Sequence, residues 1–137
     1  MSGESATSAV SRLGLEHDQV IQEFGWDEDI DEGFRASVVE VVGGELEDED
    51  YTGVVDHVLM WWRDSDGDLT DALVDTLGTL EEGGSIVLVT PASGRPDEVD
   101  ATEIEEAAST AGLHTSGTTK CGPDWVATRL VSPKGGR

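Results

Sequence analysis

Asp56-His57-Val58-Leu59-Met60-Trp61-Trp62-Arg63 and Ile86-Val87-Leu88-Val89-Thr90-Pro91 are the two stretches that decide the fold. Each is a continuous apolar run rather than an alternation, which marks a strand covered on both faces. Sheets of that kind carry helices on each side. Between the two runs, Leu69, Leu73, Leu77 and Leu80 fall on one helical stripe. The spacing predicts a helix from Asp68 to about Leu80, with Asp68 as N-cap, acids in its first turn, and Gly83-Gly84 closing it.

The same alternation extends outward. Asp18 to Phe24 (DQVIQEF) reads as a short strand that stops at Gly25. Asp29 to Val42 places Ile30, Phe34, Val38 and Val41 or Val42 at spacings of three and four, an amphipathic helix ended by Gly43-Gly44. Glu45 to Asp50 is nearly all acid and holds at best a brief edge strand around Leu46. After the loop Ala92 to Asp97, a third helix is expected over Ala101 to Ala111, stopped at Gly112. Thr115 to Cys121 and Trp125 to Val131 read as two antiparallel strands joined around Gly122-Pro123-Asp124. The expected architecture is a small three-layer α/β sandwich over residues 12–132. Its sheet is mostly parallel with a C-terminal antiparallel strand pair, and right-handed crossovers put helices on both faces. Met1 to Ser11 reads as a disordered leader and Pro133 to Arg137 as a flexible tail.

Charge sets the exclusions. Thirty acidic residues against eight basic ones give −22 in 137 residues. Gly14 to Ser109 carries 28 acids and 3 bases, whereas Thr110 to Arg137 carries 1 acid and 4 bases. Such a field repels phosphate backbones and anionic lipid, so direct nucleic-acid binding and membrane binding are not expected. The longest strongly apolar run, Val58 to Trp62, is far short of the roughly 20 residues of a membrane helix. With no apolar stretch of signal-peptide length in Met1 to Ser11 and a single cysteine, Cys121, a cytoplasmic protein without a disulfide is expected.

No metal or cofactor is expected from the motifs. Asp64-Ser65-Asp66-Gly67-Asp68 looks like a calcium loop, but its glycine falls at position 4 rather than 6. His17, His57 and His114 lie on separate elements without metal-ligand spacing. Cys121 and His114, seven residues apart on one strand, are too distant to act together. No nucleophile–base pair is read from the sequence. The remaining candidate is the carboxyl edge of the sheet, where open α/β folds place ligands. It would bring together Gly25, Trp26, Trp62 and Pro91, with Trp26 and Trp62 forming an aromatic pocket or closing the top of the core.

From Asp56 to Pro91 the chain resembles the second half of a class I, S-adenosylmethionine-dependent methyltransferase. The residues that carry the likeness are Asp56-His57-Val58-Leu59-Met60, and Leu80-Glu81-Glu82-Gly83-Gly84-Ser85 followed by the Ile86–Pro91 run. The resemblance implies a Rossmann-like fold. Those enzymes have an acid-x-G-x-G-x-G turn after their first strand; here Glu23-Phe24-Gly25-Trp26-Asp27-Glu28-Asp29 keeps the acid and the first glycine only. Glu45, 20 residues past Gly25, stands where that family's resemblance implies an acid for ribose hydroxyls. Over Arg12 to Lys134, the segments LGLEHDQVIQEFGWDEDID, VVDHVLMWWRDSDGDLTDALVDTL and DWVATRLVSPK are similar to a family of small acidic actinobacterial proteins, domain of unknown function 3052. That likeness brings no activity or cofactor with it.

The expected function is a non-catalytic, methyltransferase-like module that binds a basic protein surface through Asp27, Glu28, Asp29, Asp31 and Glu32 and through Glu47, Asp48, Glu49 and Asp50. The alternatives are a small-molecule binder of adenosyl or nucleoside type at the Trp26/Trp62 edge, with Gly25, Glu45 and Pro91, and a nucleic-acid mimic.

Overall fold

Val58, Leu59, Trp61, Ile86, Val87, Leu88 and Val89 have no solvent exposure, the result of helices packed on both faces of the two apolar runs. The computed structural model describes residues 9–132. Its elements are β1 (Ile21–Phe24), α1 (Glu32–Val42), β2 (Val55–Trp61), α2 (Leu69–Thr76), β3 (Leu80–Pro91), α3 (Ala101–Thr110), β4 (His114–Lys120) and β5 (Trp125–Val131). The sheet order is β1-β2-β3-β5-β4. β1, β2 and β3 pair in parallel, while β5 runs antiparallel to both β3 and β4. Four strands therefore point one way and β5 against them. The sheet is mixed, its parallel part confined to the first three strands.

The placement of the helices follows from one reversal of direction. After β1 the chain passes through α1 and returns beside β1 as a single parallel bridge, Gln22 to Glu47. The Glu47 amide donates to the Ile21 carbonyl at 2.8 Å and the Glu23 amide to the Glu47 carbonyl at 2.9 Å. The next strand, β2, lies on the other side of β1. Right-handed connections made in opposite directions put their helices on opposite faces. Accordingly α1 covers Ile21, Leu59, Trp61, Val87, Val89 and Ala127 with Phe34, Val38 and Val42. α2 and α3 cover Val58, Met60, Ile86, Leu88 and Leu130 with Leu69, Leu73, Ile104, Ala107 and Ala108.

Several expected boundaries move. Helix α1 starts at Glu32 rather than Asp29, because the Asp31 carboxylate accepts the Phe34 amide and ends the loop there. Its close at Gly43 is as expected, with φ 81° and an amide donating to the Val39 carbonyl. Asp68 caps α2, but the helix stops at Thr76, and Gly78 follows its C-cap Leu77. Leu80 continues the leucine stripe in sequence but already pairs with Val55 as the start of β3. Gly83-Gly84 thus lies inside β3, at an irregularity where the register jumps from Val55–Leu80 to His57–Ser85. A Cβ on Gly84 would come within 2.2 Å of the Asp56 carbonyl oxygen, so the close approach of β2 requires glycine there. Part of the segment read as a leader, Ala9 to Ser11, is helical. Residues 1–8 lie outside the described residues, and Ala9 and Val10 are buried against α1's face of the sheet. The tail 133–137 lies outside the described residues.

The tryptophans divide differently from the expectation. Trp61 is the centre of one core, edge-on to Phe34 at 6.2 Å and to Trp125 at 5.2 Å between ring centroids. Its indole N–H donates to Glu23 at 2.8 Å. Trp26 is 51% exposed and closes nothing. Trp61→Ala should therefore destabilise the fold by about 3–5 kcal/mol, and Trp26→Ala by under about 0.5 kcal/mol, both read from urea unfolding midpoints.

Candidate functional site at the carboxyl edge of the sheet

The reversal at β1 makes a topological switch point, and its crevice opens at the carboxyl ends of β1 and β2. Gly25, with φ 79°, sits in it. Both of its backbone polar groups are taken by the protein's own side chains. The Glu49 carboxylate accepts the Gly25 amide at 2.9 Å, and the Arg63 guanidinium donates to the Gly25 carbonyl at 2.8 Å. A Cβ at this position would fall 2.1 Å from the Trp61 carbonyl oxygen. Glycine is kept here because the backbone of β2 lies against it, with no space left between the two chains.

Arg63 follows β2 directly and is the organising side chain of the edge. It is about nine-tenths buried and makes a two-pronged ion pair with Asp29 through Nε and Nη2. Nη1 reaches Asp66 at 3.3 Å, whose carboxylate also accepts the Arg63 amide at 3.0 Å. The guanidinium carbon lies 5.5 Å from the centre of the Trp125 ring, in cation–π range. The Arg63 side chain beside it holds the Asp29 carboxyl below the usual range, chiefly by hydrogen bonding. From the far end of the sheet, the β4–β5 turn closes over the same edge. Trp125 donates to the Asp29 carbonyl at 3.2 Å, and Asp31 packs so tightly on Gly122 that a Cβ there would lie 2.1 Å from its carboxylate.

Below this layer Glu23, 7% exposed, accepts Arg35 in a forked pair at 2.8–3.0 Å as well as the Trp61 indole. The acid that the methyltransferase resemblance puts at the start of the turn is thus occupied inside the protein. Asp56, the other acid of that resemblance, lies at the opposite end of β2, where it accepts the Val20 amide at 2.7 Å and ties β1 to β2.

The residues singled out from the sequence are only partly brought together. Gly25 and Pro91 lie at the carboxyl ends of β1 and β3, on either side of β2, but Trp62 packs against the α2/α3 core with its indole N–H buried and unpartnered among the described residues, while Trp26 stands in solvent. Trp26 and Trp62 form no aromatic pair. Glu45 lies on the amino side of the Glu47 bridge, and it is Glu49, on the carboxyl side, that reaches Gly25. Among the acids, Asp29 and Asp31 serve Arg63 and the α1 cap. Asp27, Glu28, Glu32, Glu47, Asp48, Glu49 and Asp50 form no salt bridge among the described residues, and all but the half-buried Glu47 are exposed. Arg63 is the residue that sequence reasoning missed; the signal available was a lone cation straight after a buried strand.

Of the Asp64–Asp68 run, Asp66 serves Arg63 and Asp68 caps α2. Cys121 is buried, and burial pushes its thiol up to about 12, so it is inert as a nucleophile. The structure corrects one expectation. A serine–histidine pair does exist: His57 Nδ1 and Ser85 Oγ are 2.7 Å apart, on adjacent strands. Ser85 has no exposure and His57 has 5%, so no substrate reaches them. The Ser85 amide donates to Nδ1 at 3.2 Å, which leaves the ring proton on Nε2, without a partner. The pair is a core feature of the sheet, and burial keeps His57 neutral by lowering its pKa.

Over residues 10–134 the sequence matches the model of a family described as protein of unknown function (DUF3052). The chain belongs to that family. Uncharacterized proteins of Mycobacterium tuberculosis and Mycobacterium bovis are 50% identical over 134 residues, which is 98% of this chain and 84% of theirs. Among solved structures the fold is similar to methyltransferases. A methyltransferase from Pyrococcus furiosus matches 98% of this chain and 84% of its own at 14% identity, with a TM-score of 0.58. An SAM-dependent methyltransferase from Aquifex aeolicus matches 91% of this chain and 88% of its own at 11% identity, also at 0.58. The mitomycin 7-O-methyltransferase MmcR matches 93% of this chain at 13% identity and 0.61, and the chain spans about half of that enzyme's length. At these identities the likeness is one of fold. This member of the family has a methyltransferase-like α/β fold in which the switch-point crevice holds Arg63 and Glu49.

Two outcomes follow. Arg63→Met should destabilise the fold by about 2–3 kcal/mol in urea unfolding, since it strips a charged donor from the Gly25 carbonyl and from Asp29. His57 binds its proton at lower pH in the folded chain than in the unfolded chain, where its value is about 6.5. Its contribution to stability is therefore complete above that pH and falls as pH drops below it. Relief of acid–acid repulsion acts in the opposite direction on the whole chain, so the comparison is with His57→Gln. Between about pH 7 and 5 the difference in stability between wild type and His57→Gln should shift in favour of the variant.

Proposed function

We propose that this protein is a non-catalytic module that recognises a basic protein surface through the acidic rim of its carboxyl edge. The observation that carries this reading is the crevice itself. In this fold a ligand would enter at the switch point, and there the Gly25 amide and carbonyl are engaged by Glu49 and Arg63. Around that closed centre stand the carboxylates Asp27, Glu28 and Glu32, and the second group Glu47, Asp48, Glu49 and Asp50. Trp26 projects among the first group with half its surface in water. Tryptophan is among the residues enriched at the centres of protein interfaces, and the acid array steers a basic partner to it. Sites for such a partner do not need a pocket.

A second reading has one observation in its favour. Beyond the β2 backbone that lies against Gly25, what fills the crevice is side chains, chiefly Arg63, and the fold is similar to that of methyltransferases. A ligand of adenosyl type that displaces Arg63 would enter beside Glu49 and Gly25.

The immobilised chain, challenged with a mycobacterial lysate, should retain a basic protein at low salt and release it at high salt, where the Debye length shortens. Trp26→Ala and the pair Asp27→Asn/Glu28→Gln should each weaken retention by about tenfold or more. Retention that is indifferent to both salt and these substitutions would sink the interface. For the second reading, tryptophan fluorescence of Arg63→Ala titrated with S-adenosylhomocysteine should show saturable quenching; a flat titration of both Arg63→Ala and wild type removes that ligand class.

A further inference from the structure

The carboxyl edge is acidic, but the β4–β5 flank contains a cavity of another kind. It measures about 250 Å³ and is lined by Arg12, Leu13, Ser116, Gly117, Thr118, Thr119 and Arg129, so two guanidinium groups and three hydroxyl-bearing residues surround it without a carboxylate. In a chain of 30 acids this is an unusual allocation of cations. Six lysines and arginines fall within the described residues. Arg35, Arg63 and Arg95 pair with carboxylates. Arg12, Lys120 and Arg129 form no salt bridge among the described residues, and two of those three line this one cavity.

The local backbone is arranged around Arg129. β4 carries a bulge between Thr115 and Gly117, so that Ser116 is the extra residue and Gly117 stands opposite Arg129 in the register. Bulges redirect side chains, and here the Ser116 hydroxyl accepts Arg129 Nη1 at 3.3 Å. A Cβ on Gly117 would meet nothing within 4 Å, so open space lies over the residue facing Arg129. On the other side, Gly14, with φ 85°, lies under the guanidinium; a Cβ there would be 3.3 Å from Nη2. Arg12 reaches across to the Thr119 hydroxyl at 3.5 Å. Arg129 Nε is buried and has no acceptor among the described residues. The guanidinium is therefore held by one neutral hydroxyl and lacks the anionic partner that this planar fork of donors is suited to bind.

We propose that this cavity is a binding site for the phosphate group of a small molecule. Two arginines and a set of hydroxyls are the donors a tetrahedral oxyanion takes, and none of the lining groups is an anion that would repel it. The volume is below the roughly 300–1,000 Å³ of drug-sized ligand pockets, which fits a phosphate with a short substituent rather than a nucleotide. The overall −22 does not forbid it. At physiological salt, charges more than about 8 Å away are largely screened, and residues 110–137, which supply most of the lining, carry four bases and one acid. The site is distinct from the carboxyl edge and does not depend on the reading proposed for that edge.

The test is a ¹⁵N NMR titration of the full chain with inorganic phosphate, with ionic strength held constant by sodium chloride. Saturable shifts confined to the amides of Ser116 to Thr119, Arg129 and the Arg129 Nε–H are expected. Arg129→Gln should weaken the apparent affinity by about tenfold. Arg12→Gln, at an exposed position where folding is not in question, should weaken it severalfold. Shifts that rise linearly and are spread over the surface would overturn the proposal, as would titrations of Arg12→Gln and Arg129→Gln that match wild type.

Discussion

The guanidinium of Arg63 holds the carboxyl edge together. One buried cation collects the carbonyls of Gly25 and Trp61, the carboxylates of Asp29 and Asp66, and the face of Trp125. These groups come from β1's loop, β2, the turn before α2, and the start of β5, so a single side chain ties together segments more than 60 residues apart. A buried guanidinium is tolerated only when its donors are satisfied and its charge is compensated. Asp29 supplies the compensation, and that requirement fixes the course of the Gly25–Asp31 loop. The loop in turn brings Asp31 to cap α1 and to pack on Gly122. Much of the irregular structure at this end follows from meeting the demands of one charge.

The same closure separates this fold from a generic ligand-binding α/β sheet. Such sheets have an open crevice where the strand order reverses, and a glycine there lets a ligand approach the backbone. Here the reversal is present, made by the Glu47 bridge on one side of β1 and β2 on the other, and the glycine is present too. What approaches the glycine is the chain itself, Glu49 at its amide and the Trp61 backbone against its Cα. The charge is accordingly of two kinds. Acids such as Glu23, Asp29, Asp31, Asp56, Asp68 and Asp100 serve as caps, ion-pair partners and strand ties, while a smaller set around Trp26 and Glu47–Asp50 remains on the surface. The cations divide in the same way, with three neutralised inside the acidic half and Arg12 and Arg129 gathered at the β4–β5 flank.

The fold was legible because its signals are local. A buried parallel strand is a continuous apolar run wherever it sits, an N-cap aspartate acts on an amide three residues away, and a C-terminal glycine acts on the turn it ends. On those grounds β2, the Ile86–Pro91 part of β3 and the caps at Asp68 and Gly43 could be read directly, and β5 from the turn at Gly122-Pro123-Asp124. Leu80 shows where this reading stops. Its place in the leucine stripe suits a helix, but pairing with Val55 across the sheet is the stronger interaction, and no pattern within residues 68–80 contains Val55. The Asp29 start of α1 fails for a similar reason, since Arg63 claims that carboxylate from outside the helix.

The candidate sites depended on contacts between distant positions, and there the sequence had little to offer. Trp61 and Trp62 are consecutive at the end of β2 and go one to each core; which of them would be sealed by Trp125 was settled by the hairpin returning from the far edge. His57 and Ser85 meet because β2 and β3 pair in one register. Arg12 and Arg129 line one cavity because the turn at Gly14 lies over β5. Composition and periodicity by themselves determined the layers, the number of sheet strands and the sign of the field. Tertiary structure alone decided which charges are neutralised and which remain available, because a side chain's partner is set by the register and crossing of elements that share no local sequence signal.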